Sequence, residues 1–368
     1  MKKKIFAWLG IGMLLGIRVA AQPAQNVVLV TLDGVRWQEV FNGADGRLLF
    51  DPAYSPDTAK ARRHFWGATP QERRQKLMPF VWKTVAEQGQ LYGNRQLQSR
   101  VNVANPYWFS YPGYSELLAG YVDDRVKSNK KIPNPNPTVL EFLNKKPDLR
   151  GKVAVFSSWE VIEAAVNESR SGIPANSANE ARKADNAVDS LLNDMTALLP
   201  REWCDGVRAD FLTYFTARAY VQRHKPRVLF LSFDETDELA HAGRYFDHLT
   251  MLQSLDRYLG DLWRTMQAMP EYRGKTTFIL TTDHGRGQQG KARWKSHGTG
   301  TGGSYQMWLA VWGAGVAPTG EQSGGPVFFQ HQIAATLARA LGYDFHSDKP
   351  VGPPIDNVFA PAPARVEP

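Results

Sequence analysis

Five short runs of apolar, largely β-branched residues constrain this fold more than any other feature. They are Asn26–Leu32, Lys152–Ser157, Arg227–Phe233, Thr276–Thr282 and Gln306–Trp312. None shows the apolar–polar alternation of a strand with one wet face, so each reads as a strand covered on both sides, as in a parallel sheet. Helical patterns lie between them, over 76–89, 113–121, 137–145, 178–198, 206–224, 244–268 and 329–341. In the longest, Leu249, Leu252, Leu255, Leu259 and Leu262 recur at spacings of three and four, an amphipathic stripe. Strands alternating with helices predict an α/β fold, a doubly wound and mostly parallel sheet sandwiched by helices. With no repeat and no linker, residues 22–346 read as one domain. Residues 42–75, polar and dotted with Pro, Arg and Trp, read as an excursion over the sheet edge. Residues 347–368, where six prolines fall from Pro350 onward, read as an extended or disordered tail.

The N-terminus carries an address. Lys2, Lys3 and Lys4 precede an apolar stretch over residues 5–17, and Val19-Ala20-Ala21 supplies small residues before Gln22. The apolar stretch falls short of the roughly 20 residues that span a bilayer. Residues 1–21 therefore read as a cleaved signal peptide, and the protein as periplasmic or secreted, without a stable membrane anchor. Four of the 44 basic residues (Lys2, Lys3, Lys4, Arg18) lie in that segment, leaving 40 against 36 acidic residues. A net charge this small, without a clustered basic face, argues against binding nucleic-acid duplexes. The single cysteine, Cys204, excludes an intrachain disulfide and a thiolate metal cluster. Any metal site must use His, Asp and Glu.

Those residues fall where such a site belongs. The first run ends at Asp33, the third leads into Asp234, Asp237 and His241, and the fourth ends at Asp283-His284. Ligands of open α/β sheets bind beyond the carboxyl ends of the strands, so distant segments would deliver these groups to one rim. Asp237 and His241, four apart, share one face of a helical turn. His297 follows in a glycine-rich loop. A lone strand-end Asp commonly caps the next helix; Asp residues accompanied by histidines at ligand spacing point instead to zinc or manganese.

Thr31-Leu32-Asp33-Gly34, Ser110-Tyr111-Pro112-Gly113-Tyr114, Asp237-Glu238-Leu239-Ala240-His241, Thr282-Asp283-His284-Gly285 and then His297 resemble, in order and spacing, the alkaline phosphatase superfamily. The likeness is to its phosphodiesterase/nucleotide pyrophosphatase branch and to the metal-binding core of cofactor-independent phosphoglycerate mutase, over about residues 26–342. It implies two divalent metal ions, zinc or manganese. One would be held by Asp237, His241 and His297, the other by Asp33, Asp283, His284 and the Ser110 oxygen. It also implies Ser110 as nucleophile, a covalent phosphoserine intermediate, and a phosphorylated small-molecule, glycan or lipid substrate. Asn129, 19 residues after Ser110, is the candidate for binding the substrate's non-bridging oxygens, with a turn residue as the alternative. Tyr114 stands where sulfatases carry Arg, which disfavours a sulfatase. A mutase would need an inserted domain that this chain has no room for.

The helix opening near Gly113 would aim its N-terminal amides at a phosphate beside Ser110. Arg286, Arg293, Lys295 and Lys131 are further candidate phosphate contacts, each with solvated surface charge as the alternative. Because no cation is clearly committed to a dianionic monoester, diester and nucleotide substrates are slightly favoured. Alternatives are a phosphomonoesterase, a sulfate or phosphonate ester hydrolase, and a non-catalytic phosphoglycan-binding relic. Gly298–Gly303 spells a dinucleotide fingerprint but precedes a strand, so it fails that motif's context. His248 and His331 read as packing or surface residues, and Asp234 as a weaker alternative to Asp237.

Overall fold

The computed structural model of the chain describes residues 23–199 and 206–360. Residues 1–21, expected to be a signal peptide, Cys204 and the end of the Pro-rich tail lie outside the described residues. The strands are β1 (Asn26–Leu32), β2 (Gly89–Tyr92), β3 (Arg100–Asn102), β4 (Val153–Ser157), β5 (Ala175–Ser177), β6 (Val228–Phe233), β7 (Thr276–Thr281), β8 (Gln306–Met307), β9 (Leu309–Gly313), β10 (Gly320–Glu321) and β11 (Val327–Phe329). Eight of them form one sheet in the order β10-β2-β9-β7-β1-β6-β4-β5, and β11-β3-β8 form a small second sheet. β1 pairs in parallel with both β6 and β7, and β4 in parallel with β6 and β5. The mostly parallel α/β sandwich expected from the pattern is the one observed.

The fifth apolar run departs from expectation. It divides at Trp308 into β8 and β9, and β9 runs antiparallel to β7 and to β2. A parallel return needs a crossover, usually a helix. Between β7 and β9 the chain makes only the 3-10 turn Lys291–Lys295 and two-residue β8, so it comes back down beside the strand it left.

β1 shows how the sheet is covered. Val28, Val30 and Leu32 face one apolar cluster while Val27 and Leu29 face the other, the period of two that splits a strand between its faces. The first cluster holds the leucine stripe of the long helix Tyr245–Ala268; the second holds Tyr111, Tyr114, Leu117 and Leu118 of the helix Ser110–Ala119. Among the described residues no helix is long and apolar enough to cross a membrane.

Two other expectations are revised. Residues 42–75 are not a polar excursion: short helices at Gly46–Leu49, Thr58–Phe65 and Pro70–Leu77 bury Leu48, Leu49, Ala61 and Phe65 in the first cluster. Their polar residues serve as caps, Asp57 accepting from the Lys60 amide and Thr69 from that of Glu72. Up to residue 360 the tail is also fastened. Ile355 and Val358 are buried in the second cluster, and the Gly352 amide donates to the Gly120 carbonyl.

Candidate metal centre and nucleophile

Strand register assembles the centre. Thr31 pairs with Thr281 and Leu32 with Phe233, so β1, β6 and β7 end level and Asp33 and Asp283 emerge side by side. Both are fully buried. Asp33 Oδ2 accepts the Tyr114 hydroxyl at 3.0 Å; that hydroxyl accepts from Ser232, which accepts from Thr31. Asp283 Oδ1 accepts the Gly34 amide at 3.1 Å. The other two oxygens, Asp33 Oδ1 and Asp283 Oδ2, have no hydrogen-bond partner. They lie 3.5 and 3.4 Å from His284 Nε2, and Ser110 Oγ lies 3.3 Å from the same nitrogen.

The tautomer of His284 follows from its other side. Nδ1 is 2.8 Å from the Gly285 carbonyl, which can only accept, so Nδ1 carries the proton and the Nε2 lone pair faces the carboxylates. Burial drives the His284 pKa down to about 4, keeping the ring neutral. Burial also raises Asp283 to about 6, against the opposing Gly34 hydrogen bond, and raises Asp33 well above its ordinary value, reinforced by the charge of Asp283. Bare carboxylate oxygens, an imidazole lone pair and a hydroxyl thus converge with no positive charge among them. Unpaired buried charge is costly, and a divalent cation is the group this donor set fits.

A second group adjoins the first. Asp237 and His241 sit one turn apart on the helix Glu235–His241. Asp237 Oδ2 is 2.9 Å from His241 Nε2 and 3.7 Å from His297 Nε2, and the two ring nitrogens are 2.9 Å apart. The His284 and His297 rings stack at 4.0 Å, so His284 stands between the groups; the ligand atoms of Asp237, His284 and His297 also cluster tightly enough to share an ion. Burial, then the neighbouring His284, takes His297 down to about 3, so it too is a neutral donor. Burial alone would raise Asp237, but the Arg286 guanidinium and the His241 hydrogen bond override it and hold that carboxyl well below the ordinary range.

This last contact corrects an expectation. Arg286 is not a substrate clamp: its side chain is fully buried and paired with Asp237 Oδ1. Lys131 is likewise engaged, 2.8 Å from Glu163, while Arg293 is exposed. His248 is buried against the Thr236 carbonyl and His331 lies 3.5 Å from Glu116, the packing roles expected. Asp234 lies outside both groups, its amide bonded to Asp210.

Ser110 opens the helix Ser110–Ala119, three residues earlier than the pattern suggested. The helix can sit this close because residue 113 is glycine; a Cβ there would lie 2.7 Å from the Asp283 carbonyl oxygen. Its N-terminus offers less to a phosphate than a free helix end would. Pro112 has no N–H, the Gly113 amide is already bonded to the Phe109 carbonyl, and the Tyr111 amide donates to Asn129 Oδ1 at 2.9 Å. Only the Ser110 amide is left uncommitted among the described residues. Asn129 is therefore a side-chain cap beside Ser110, and its Nδ2 has no hydrogen-bond partner among the described residues. The contributors not foreseen are Arg286 in its observed role, Gly34 and Tyr114. Tyr114 had a readable signal, since it lies four residues from Ser110 on the same helical face.

A family model of type I phosphodiesterases / nucleotide pyrophosphatases matches residues 46–293, and the chain belongs to that family. It is thereby a hydrolase acting on phosphoric esters. The matched stretch contains Ser110, Asp237, His241, Asp283 and His284; Asp33 and His297 join them through the geometry above. Among solved structures, the alkaline phosphatase PafA is 13% identical with a TM-score of 0.61, over 93% of this chain and 100% of that one. The lipoteichoic acid synthase LtaP from Listeria monocytogenes is 10% identical with a TM-score of 0.56, over 88% of this chain and 73% of that one. The phosphonate monoester hydrolase of Agrobacterium radiobacter is 13% identical with a TM-score of 0.55, over 92% and 77%. At these identities the likeness is one of fold. No curated protein matches the chain significantly.

Proposed function

We propose that this is an exported phosphodiester hydrolase that works through a covalent phosphoserine at Ser110. The observation that carries the reading is the position of Ser110 Oγ, 3.3 Å from His284 Nε2 and facing the two bare carboxylate oxygens of Asp33 and Asp283. Asp33, Asp283 and His284 would hold one divalent ion, zinc or manganese, and Asp237, His241 and His297 another; such ions lower the pKa of a hydroxyl and neutralise phosphoryl oxygens. Ser110 Oγ attacks phosphorus in line, forming the Oγ–P bond as the P–O bond to the leaving alcohol breaks. The serine proton passes to solvent, and the alcohol takes one from it. Water then cleaves the Oγ–P bond, releasing a phosphate monoester and restoring the Ser110 hydroxyl. The free Nδ2 of Asn129, held beside Ser110 by its bond to Tyr111, and the Ser110 amide are the donors for non-bridging oxygens.

A diester carries one charge less than a monoester dianion and needs fewer cationic contacts. The engagement of Arg286 with Asp237 and of Lys131 with Glu163 supports that preference. The test compares kcat/KM on bis(4-nitrophenyl) phosphate and on 4-nitrophenyl phosphate, with acid-quenched protein searched for a phosphoryl group on Ser110. The diester should be the better substrate, and Ser110→Ala should lose at least on the order of 10³-fold, as nucleophile deletions do. Undiminished activity in Ser110→Ala would sink the mechanism; a monoester preference would reassign the substrate. Export is tested by sequencing the N-terminus of the extracytoplasmic protein, which should begin at Gln22.

A further inference from the structure

We infer that Arg286 is a positioning residue for the more exposed cation position, preorganising Asp237 and His297 together and so setting the affinity of that position alone. The inference rests on the two-cation reading above. All three nitrogens of the buried guanidinium are committed. Nε donates to the Trp294 carbonyl at 2.7 Å, Nη2 to the Lys295 carbonyl at 2.6 Å, and Nη1 to Asp237 Oδ1. One rigid, planar fork therefore ties a carboxylate on the helix Glu235–His241 to the loop that reaches His297 two residues later. With Oδ1 occupied, Asp237 turns only Oδ2 toward His241 and His297.

The pair has no room to slide. Gly34 lies under it at φ +63°, and a Cβ at that residue would sit 2.3 Å from Asp237 Oδ1 and 2.7 Å from Arg286 Nη1. The other position has no such device. The second oxygens of Asp33 and Asp283 are held by neutral donors, the Tyr114 hydroxyl and the Gly34 amide, and their backbones are already fixed by strand pairing. Arg286 supplies by side chain what the sheet supplies there by register.

The experiment is equilibrium dialysis of chelator-stripped protein against Zn²⁺, with Co²⁺ absorption spectra, on wild type, His241→Ala, Arg286→Met and Arg286→Lys. Wild type should bind two equivalents, and His241→Ala identifies which belongs to the exposed position. Both Arg286 variants should weaken that equivalent by ~10–100-fold, the usual loss when a group orienting a metal ligand is removed, and leave the other unchanged. Lysine keeps the charge but not the fork, so it should not restore affinity, and it should shift the Co²⁺ bands of the same equivalent. Unchanged affinities, tighter binding in Arg286→Met, or equal weakening of both equivalents would overturn the inference. A wild-type protein that binds fewer than two ions would instead overturn the two-cation reading beneath it.

Discussion

Asp33, Asp283 and His284 hang from the ends of two paired strands with no exposure at all, whereas Asp237, His241 and His297 sit on a seven-residue helix and a loop, with the His241 side chain 46% exposed. The first group inherits its geometry from backbone pairing that the apolar core enforces. The second lies beyond the reach of that pairing and depends on Arg286 to hold it. The difference teaches that one sheet rim can combine a position fixed by the fold with one fixed by side chains. The two should respond differently to mutation, to ion supply and to protons.

The largest separation should come from Asp283→Asn. It removes a ligand oxygen from the group that also faces Ser110, and kcat should fall about 10²–10³-fold, the size of losing one preorganised electrostatic contact. Excess cation should not rescue it, because a buried amide cannot replace the charge; recovery with millimolar zinc or manganese would erase the contrast. His241→Ala should cost less, ~10-fold at limiting cation as for weakened metal sites, and should recover as cation is raised. A plot of kcat/KM against free Zn²⁺ for both variants makes the comparison.

The smallest effect is a count of protons. Asp283 is raised to about 6 by burial. In ion-free protein its stabilising contribution is present below the ordinary carboxylate range and is lost as pH rises through about 6. An ion demands the ionised form, so loading this position at pH 6 should release protons from Asp283 and from Asp33, which burial also raises well above its ordinary value. Asp237 is already ionised and His297 already neutral, so neither of these two ligands of the exposed position should release a proton. Calorimetric titration of wild type and His241→Ala in buffers of different ionisation enthalpy separates the two; equal release from both would remove the electrostatic half of the contrast.

Much of this was readable in the chain. The residues at the ends of Asn26–Leu32 and Thr276–Thr281 were legible because a strand buried on both faces has few polar residues, and an Asp at its end stands out. Asp237 and His241 were legible through helical spacing. What was not legible depended on contacts distant in sequence. Nothing in Asp283-His284-Gly285-Arg286 states that the arginine turns inward to a carboxylate 49 residues away. The outer strands β2, β5 and β10, of two to four residues, are too short for periodicity to register. The antiparallel course of β9 is set by the missing crossover, not by its own composition. The resemblance and the 19-residue spacing from Ser110 single out Asn129, but its bond to the Tyr111 amide belongs to helix capping and needs the fold to appear.

β1 is the first strand of the described chain and the centre of the sheet, yet its two neighbours come much later: Thr31 meets Ser232 across 201 residues, and Asn26 meets Thr276 across 250. Contacts this distant close slowly, since the loop entropy is lost before the pairing is gained. As the polypeptide leaves the ribosome, β1 has no partner until β6 has been made, and Asp33 has no companion until Asp283 follows. A chain with this order of elements stays unpaired at its heart through most of its synthesis. The same topology that seals the Asp33–Asp283 pair in the core also postpones it until residue 283 has been made.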